Sequence, residues 1–289
     1  MTQANTILGL LAQTSIHAGT GSNTGVIDLP IQREGHNGYP CIFGSSMKGA
    51  LRTRAEAEAN AESVKCVFGP SSSDEKIDHA GALMVSDARL LLLPIRSLTS
   101  QFKWVTCPAV LQRFKRDAER FGTKLTFTVP TVEKTNALVP QQTSNDTLFL
   151  EEYRFDATPT DLQDIIAAVA KLMRDDAKVE LEKQLVLVSD DMFAHLCQHA
   201  TPVNAHIAID SATKTVKGGA LWYEETLPPE TLLYVGLSAV KARAQGAEMK
   251  AADILSAVTG MFDKKLWLQI GGNETVGMGW CAVKNMGGK

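Results

Sequence analysis

The sequence contains no run of eighteen apolar residues, and so no segment able to span a bilayer as a helix. The stretch from Thr6 to Leu11 lacks a basic leader and a small-residue cleavage site, which argues against export and makes the cytoplasm the expected compartment. Cysteine is scarce and scattered: Cys41, Cys66, Cys107, Cys197 and Cys281 are odd in number and never at C-x-x-C spacing. That pattern argues against a disulfide framework and a cysteine-based zinc site, and predicts reduced, mostly buried thiols. An excess of basic charge is missing as well. With a net charge of −3 and a pI near 6.1, the chain has no general attraction for polyanions, so any contact with nucleic acid must come from a local cluster. Internal repeats and low-complexity tracts are absent. What is present is 289 residues, 44% of them hydrophobic, enough to bury a substantial core as one elaborated domain or two small ones.

Apolar and polar residues alternate from Thr6 to Ile16 as in a strand, and the glycine-rich loop Gly19 to Gly25 follows. Ala, Glu and Arg from Ser46 to Asn60 predict a helix capped by Ser45 or Ser46, and Ala82 to Leu93 reads as a second strand. The next strand, helix and strand in succession are Thr231 to Ala239, Ala251 to Phe262 and Lys265 to Ile270. Together these give β-α-β, a long insertion and β-α-β, the order of an α+β fold of the ferredoxin-like or RRM-like kind. A parallel α/β fold would need regular alternation through the middle of the chain, which is not there. The insertion, about 96 to 230, holds a predicted helix from Asp161 to Leu185 and an extended loop or edge strand between Lys124 and Asn145. It also holds an exposed hairpin, His206–Asp210 with Gly219–Glu224.

Several patterns bear on chemistry. In Gly44 to Arg54 the free N–H groups of a helix start, a polar loop and Lys48 can form an anion site, with Arg52 one turn away on the same face. A solvated charged helix face fits equally well, and P-loop spacing is absent. Gly19-x-Gly21-x-x-x-Gly25 misplaces the third glycine of a dinucleotide fingerprint and runs into Asp28-Leu29-Pro30 where a helix should begin. Asp28, beside Arg33 and Glu34, can bind a divalent cation or position a nucleophile, or can simply be solvated. His17 can act as acid or base, or be satisfied by local hydrogen bonds. His195 and His199 are one helical turn apart but lack the Glu of H-E-x-x-H, and read as helix surface. The glycines from Gly271 to Gly279 can present N–H groups to a phosphate or base, with Trp280 stacking on a nucleotide or filling the core.

The motifs His17-Ala18-Gly19-x-Gly21, Asp28-Leu29-Pro30-Ile31-Gln32-Arg33-Glu34, Gly44-Ser45-Ser46-x-Lys48-Gly49-x-x-Arg52, Leu93-Pro94-Ile95-Arg96-Ser97, Trp104-Val105-Thr106-Cys107-Pro108 and Ala220 to Glu225, with the terminal glycine loop, occur in one order. Together they resemble the RAMP superfamily, and within it the repeated backbone subunit of type III-B (Cmr) CRISPR effector complexes. The resemblance implies an RRM-like core in two parts, 1–95 with an active-site loop at 17–43 and 231–289 with the glycine-rich loop. Between them it implies an inserted lid, 96–230, with a hairpin thumb at about 201–226. It further implies binding of a guide crRNA and a single-stranded target RNA, head-to-tail stacking of copies, and contact with other type III-B subunits. The implied activity is regular cutting of the target with a divalent metal ion, Mg2+ or Mn2+. Catalysis would fall on Asp28, also the tentative metal ligand, with His17 and Glu225 in support. RNA contacts would fall on Ser45, Ser46, Lys48, Arg52, Arg54, Arg96, Gly271, Gly272 and Gly277. Met278 stands between two glycines where the family commonly has a basic residue. A non-catalytic RNA-binding backbone, or a free-standing RAMP endoribonuclease that processes guide precursors, are the alternatives.

Overall fold

The computed structural model describes residues 3–71, 74, 79–141, 146–175 and 177–287. The first part runs β1 (Ala4–Ala12), β2 (Cys41–Ile42), α1 (Gly44–Glu56), α2 (Ala61–Phe68), β3 (Leu83–Val85) and β4 (Ala88–Ser97). The middle holds β5 (Gln101–Thr106), α3 (Pro108–Arg120), β6 (Asn136–Pro140), β7 (Thr147–Leu150), β8 (Tyr153–Thr160), α4 (Gln163–Ala170) and α5 (Ala177–Gln184). Next come β9 (Leu185–Leu187), α6 (Asp190–His199), β10 (Val203–Ile209) and β11 (Val216–Glu225). The chain ends with β12 (Leu232–Ala239), α7 (Ala251–Thr259), β13 (Trp267–Gln269) and β14 (Trp280–Asn285).

Among the described residues, twelve strands form one mixed sheet in the order β13-β14-β1-β12-β4-β5-β9-β6-β8-β7, with β2 added to β4 and β3 to β12. β10 and β11 stand apart as a two-stranded hairpin. β1 is antiparallel to both β12 and β14, and β12 is antiparallel to β4. β4 pairs with β12 through Leu90 and Leu92 and with β5 from Leu93 to Ser97, so the sheet passes residues 95 and 96 without a break.

The sheet is covered on both faces, and the period-two alternation of strand side chains divides its core. Ile7 and Leu11 of β1 and Leu232 and Tyr234 of β12 join a cluster with α3, α4, α5 and α6. Leu8, Leu10, Leu233, Val235 and Leu237 join a second cluster with α1, α2 and α7. Gly9 and Gly236 belong by parity to the first face, where side chains would obstruct packing. A Cβ at Gly9 would lie 2.0 Å from the carbonyl oxygen of Leu172, and one at Gly236 would lie 2.1 Å from the Phe121 ring. All five cysteines are buried and free; burial pushes the Cys41, Cys107 and Cys281 thiols up to about 12.

Several elements depart from the sequence expectations. β1 stops at Ala12, because Gln13 turns away to donate its N–H to Trp280. α1 starts at Gly44 without a serine cap; Asp87, in the break between β3 and β4, accepts the Gly44 N–H at 2.7 Å. That break divides the strand expected over Ala82 to Leu93. Asn60 does not end α1 but caps α2, accepting from Ser63 N at 2.8 Å. The helix expected over Asp161 to Leu185 is two helices, split where Leu172 and Met173 turn into the core and the Leu172 carbonyl meets Gly9. The extended segment from Lys124 includes β6, while 142–145 lie outside the described residues.

Gly9→Ala and Gly236→Ala should each lower the unfolding free energy by about 1–3 kcal/mol, the usual cost of overpacking a core. Gly9→Ala should cost more, because its obstacle is backbone and the Phe121 ring can yield. Urea midpoints at unchanged m-value check the order.

Candidate active site

Beyond β1 the chain crosses the end of the sheet as a loop over residues 13–40, stitched down by isolated bridges Ile16↔Leu227, Gly19↔Ile31, Leu29↔Glu224 and Arg33↔Pro40. It meets the buried end of β11 and the glycine loop between β13 and β14. Asp28 is half-buried rather than free in solvent. Its Oδ2 accepts the Tyr223 N–H at 2.8 Å and its carbonyl accepts the Asn23 N–H at 2.8 Å. The Leu29 N–H donates to the Tyr223 carbonyl at 3.1 Å and the Glu225 N–H to the Leu29 carbonyl at 3.0 Å. The carboxylate is therefore oriented by the hairpin, with Oδ1 left for a ligand.

Glu224 and Glu225 are both 3% exposed and, as neighbours on a strand, face opposite sides. The Glu225 carboxylate accepts from the Arg33 guanidinium at 2.5 Å, the Thr201 hydroxyl at 2.6 Å and the Ile31 N–H at 3.1 Å. Arg33 also donates to the carbonyls of Gly38 and Cys197, each at 2.8 Å, which ties the loop to the end of α6. Glu225 thus uses three acceptor positions on the protein itself and holds Ile31, Arg33 and Thr201. Glu224, on the other side, accepts from the Asn273 amide and lies 3.6 Å from His17 Nδ1. His17 Nδ1 is 2.8 Å from the Glu225 carbonyl oxygen. A carbonyl only accepts, so Nδ1 carries the proton and Nε2 of the neutral ring keeps its lone pair. Gly19, Gly271 and Gly272 crowd this histidine: a Cβ at Gly19 would lie 2.6 Å from Nε2, and one at Gly271 2.4 Å from the His17 carbonyl oxygen.

At the start of α1, Gly44 is occupied by Asp87, while the Ser45 and Ser46 N–H groups have no partner among the described residues. Ser46 Oγ accepts from the buried Gln32, which also binds the Gly19 carbonyl and the Phe43 N–H, joining the loop to the helix. Lys48 makes no ion pair among the described residues. Arg52 instead pairs with Glu56 at 2.7 Å and donates to the Gly69 carbonyl at 3.1 Å; Arg54 pairs with Glu58 at 3.1 Å. Arg96, 86% exposed, pairs with Glu151. In the glycine loop the Gly272 N–H donates to the His17 carbonyl and the Gly277 N–H to the Glu274 carbonyl, both at 2.9 Å. Trp280 is 37% exposed and is not a core residue.

An open cleft of about 320 Å³ lies beside Asp28, lined by Asn23, Val26, Ile27, Pro30, Arg33, Gln198 and Glu225. Among the described residues no three His, Cys, Asp or Glu side chains converge to hold a metal ion, so Asp28 belongs to no preformed metal centre. His195 bonds to the Tyr153 hydroxyl at 2.8 Å and packs its ring on His199. No helix among the described residues is long and apolar enough to cross a membrane. The end of β11 thus joins His17, at the Glu225 carbonyl, to the loop that carries Asp28, with Gly271 and Gly272 against His17, while Arg52, Arg54 and Arg96 are each paired with a carboxylate. Sequence reasoning missed Glu224, Thr201, Asn273 and Gln32. The adjacent acidic pair at the end of an alternating strand was the available signal for Glu224.

A family model described as the RAMP superfamily matches residues 10–282. The chain is 36% identical over 283 residues to the CRISPR system Cmr endoribonuclease Cmr4 of Pyrococcus furiosus, covering 96% of this chain and 94% of that protein. It is 25% identical over 295 residues to the CRISPR system CMR subunit Cmr4 of Saccharolobus solfataricus, covering 93% and 92%. Among solved structures, oligomeric Cmr4 from Pyrococcus furiosus is similar with a TM-score of 0.76 at 30% identity, over 99% of this chain and 98% of that one.

Arg33→Ala should destabilise the protein by about 3 kcal/mol, because it leaves Glu225 as a buried, unpaired carboxylate. Thr201→Val, which removes one neutral donor, should cost only about 1 kcal/mol. Chemical denaturation of the two variants checks the ranking.

Proposed function

This chain belongs to the RAMP superfamily, and on that premise we propose that it is a guide-RNA-binding backbone subunit of a type III-B CRISPR effector complex that cleaves the paired target RNA. The observation that carries the proposal is Asp28, oriented by the hairpin beside His17 and an open cleft, in a chain alignable along nearly its whole length with a named endoribonuclease. Its partners are the guide crRNA, the single-stranded target RNA, further copies of itself head to tail and the other subunits of the complex. The similar Pyrococcus protein is described as oligomeric, in keeping with stacked copies. The site of action is the cytoplasm.

We read 1–95 and 231–289 as two parts of an RRM-like core and 96–230 as an inserted lid with a thumb hairpin at about 201–226. In support, β14, β1, β12 and β4 are successive antiparallel neighbours, with α1 and α7 packed into one cluster. The hairpin exposes Ile207, Leu221 and Tyr223 by 42–54%, and stacks His206 on Trp222 with ring centroids 5.4 Å apart. Such side chains suit a wedge that meets RNA and a neighbouring copy.

In the cut we propose, a 2′-hydroxyl attacks its own phosphodiester to form a 2′,3′-cyclic phosphate, while the bond from phosphorus to the 5′-oxygen breaks and that oxygen leaves as a hydroxyl with a proton from water. This needs an alignment that a stacked duplex does not offer. His17 Nε2 takes the hydroxyl proton. Asp28 Oδ1 orients the attacking group, and Glu225 keeps the loop in place through Arg33 and Ile31. Asp28 would be the carboxylate to hold a divalent ion, Mg2+ or Mn2+, and such an ion would supply neutralisation of charge on the phosphodiester. Lys48 and the Ser45 and Ser46 N–H groups take a guide phosphate. Arg52 and Arg54 brace α1 from the side and Arg96 lies on the lid, each reaching the RNA backbone only by leaving its carboxylate, and Gly271, Gly272 and Gly277 let that backbone come close to the loop.

In complexes containing Asp28→Ala as the only form of this subunit, cutting should fall roughly a hundredfold or more while target binding is kept. EDTA should reproduce the defect. A denaturing-gel assay beside a binding assay decides; cuts at the parental rate would make the subunit a scaffold. Lys48→Ala should weaken guide binding alike for unrelated spacers and lower the salt slope by about one unit.

A further inference from the structure

We propose that Gln32 is a positioning residue for the cut: its one side-chain amide holds the backbone against which His17 sits and leaves the Ser46 hydroxyl free to donate to a guide phosphate. This rests on the reading of His17 as the base and of the start of α1 as a guide-phosphate site.

Gln32 is 6% exposed, and its backbone is fixed on both sides. Its N–H donates to the Ala18 carbonyl at 2.8 Å and its carbonyl accepts the Cys41 N–H at 3.0 Å, beside the bridge that pairs Gly19 with Ile31. The side chain then reaches three segments. Its Oε1 accepts the Phe43 N–H at 2.6 Å, and its Nε2 donates to the Gly19 carbonyl and to Ser46 Oγ, each at 3.1 Å. Only one orientation of the amide satisfies this set, because a backbone N–H cannot accept and a carbonyl cannot donate. Both hydrogens of Nε2 are used, as burial requires of a polar group.

Two consequences follow for the reaction. Ser46 Oγ accepts from Gln32, so the proton of the hydroxyl is directed away from the amide, and it finds no acceptor among the described residues. With the open N–H groups of Ser45 and Ser46 beside it, that O–H is a further donor for a phosphate at the start of α1. On the other side, Gly19 lies against the His17 ring: a Cβ there would be 2.6 Å from Nε2, the nitrogen that takes the 2′-hydroxyl proton. The chain at Gly19 is thus a wall beside Nε2, and Gln32 fixes that wall from within the protein. Nδ1 is already held at the Glu225 carbonyl, 2.8 Å away, so the ring is bounded at both nitrogens. A carboxylate of the same shape at position 32 would keep the Phe43 bond, give up both donations and draw the Ser46 proton inward. A thioether would give up all three bonds.

The test uses assembled complexes in which the variant is the only form of this subunit, with guide and target RNA at saturation for the rate measurements. Gln32→Glu and the uncharged Gln32→Met should each slow single-turnover cutting about tenfold, within the roughly hundredfold that a misplaced group can cost. Guide affinity should fall about tenfold with Gln32→Glu, and adding Ser46→Ala should weaken it by no more than about twofold further, because both changes remove the same donor. Gly19→Ala leaves Gln32 intact and sets a methyl group against Nε2. It should slow cutting about tenfold at unchanged guide affinity, and it decides the role of the wall even where a Gln32 variant does not fold. Cutting at the parental rate in the folded Gln32 variants or in Gly19→Ala overturns the proposal, as does a guide loss to which Ser46→Ala adds in full. Asp28→Ala keeps the two readings apart. If those complexes also cut at the parental rate, the assignment of cutting has failed and the guide measurements alone decide Gln32; if they are inactive while the Gln32 variants cut normally, the role of Gln32 falls alone.

Discussion

Glu225 is a buried carboxylate with three donors converging on it, from Arg33, from Thr201 and from the backbone of Ile31. The donors come from two distant parts of the chain: Ile31 and Arg33 from the long loop after β1, and Thr201 from the segment after α6. A charge so withdrawn from water persists only when it is fully paired. The pairing requirement therefore fixes where the loop, the end of α6 and the base of the hairpin stand relative to one another. Asp28, His17 and the cleft are located by that junction and not by local loop preference. The adjacent Glu224 does the corresponding work on the opposite side, against Asn273 and His17.

The electrostatics follow the same economy. In a chain of net charge −3 little positive charge is left free, and most of the arginines near the site are already matched. Arg33 answers Glu225, Arg113 answers Glu34, and Arg52 and Arg54 answer Glu56 and Glu58. Lys48, with the open N–H groups of Ser45 and Ser46 behind it, is the cation near the start of α1 that no carboxylate claims among the described residues. The free positive charge of α1 is thus less than its composition suggests, and its arginines brace it against the end of α2 and the turn after α7.

Legibility from sequence divided along a physical line. The order of strands and helices at the two ends was readable, since periodicity is local and β1, α1, β12 and α7 are each long enough to display it. That Asp28 stands in a loop was readable, because glycines and Pro30 flank it. What escaped depended on contacts between distant segments. The Asp87 cap on α1 joins positions 43 residues apart, so the nearby serines looked like the natural choice. The pairing of Glu225 with Arg33 and Thr201 was not legible, because nothing local to Glu225 reveals them. The split between α4 and α5 is imposed by the sheet, where Gly9 admits the Leu172 carbonyl; no glycine or proline marks it in the helix itself. Asn60, by contrast, carried an ordinary capping signal that the helical composition around it masked.

The hairpin of β10 and β11 has ten residues in its second strand, of which only the last two are buried, and its register runs from Val203↔Glu225 outward to Ile209↔Val216. Tyr223, the last residue before the buried pair, holds Asp28 through its N–H and Leu29 through its carbonyl. The hairpin therefore passes from free arm to anchored base at Tyr223, and Asp28 takes its bond at that junction, one residue outside the buried pair.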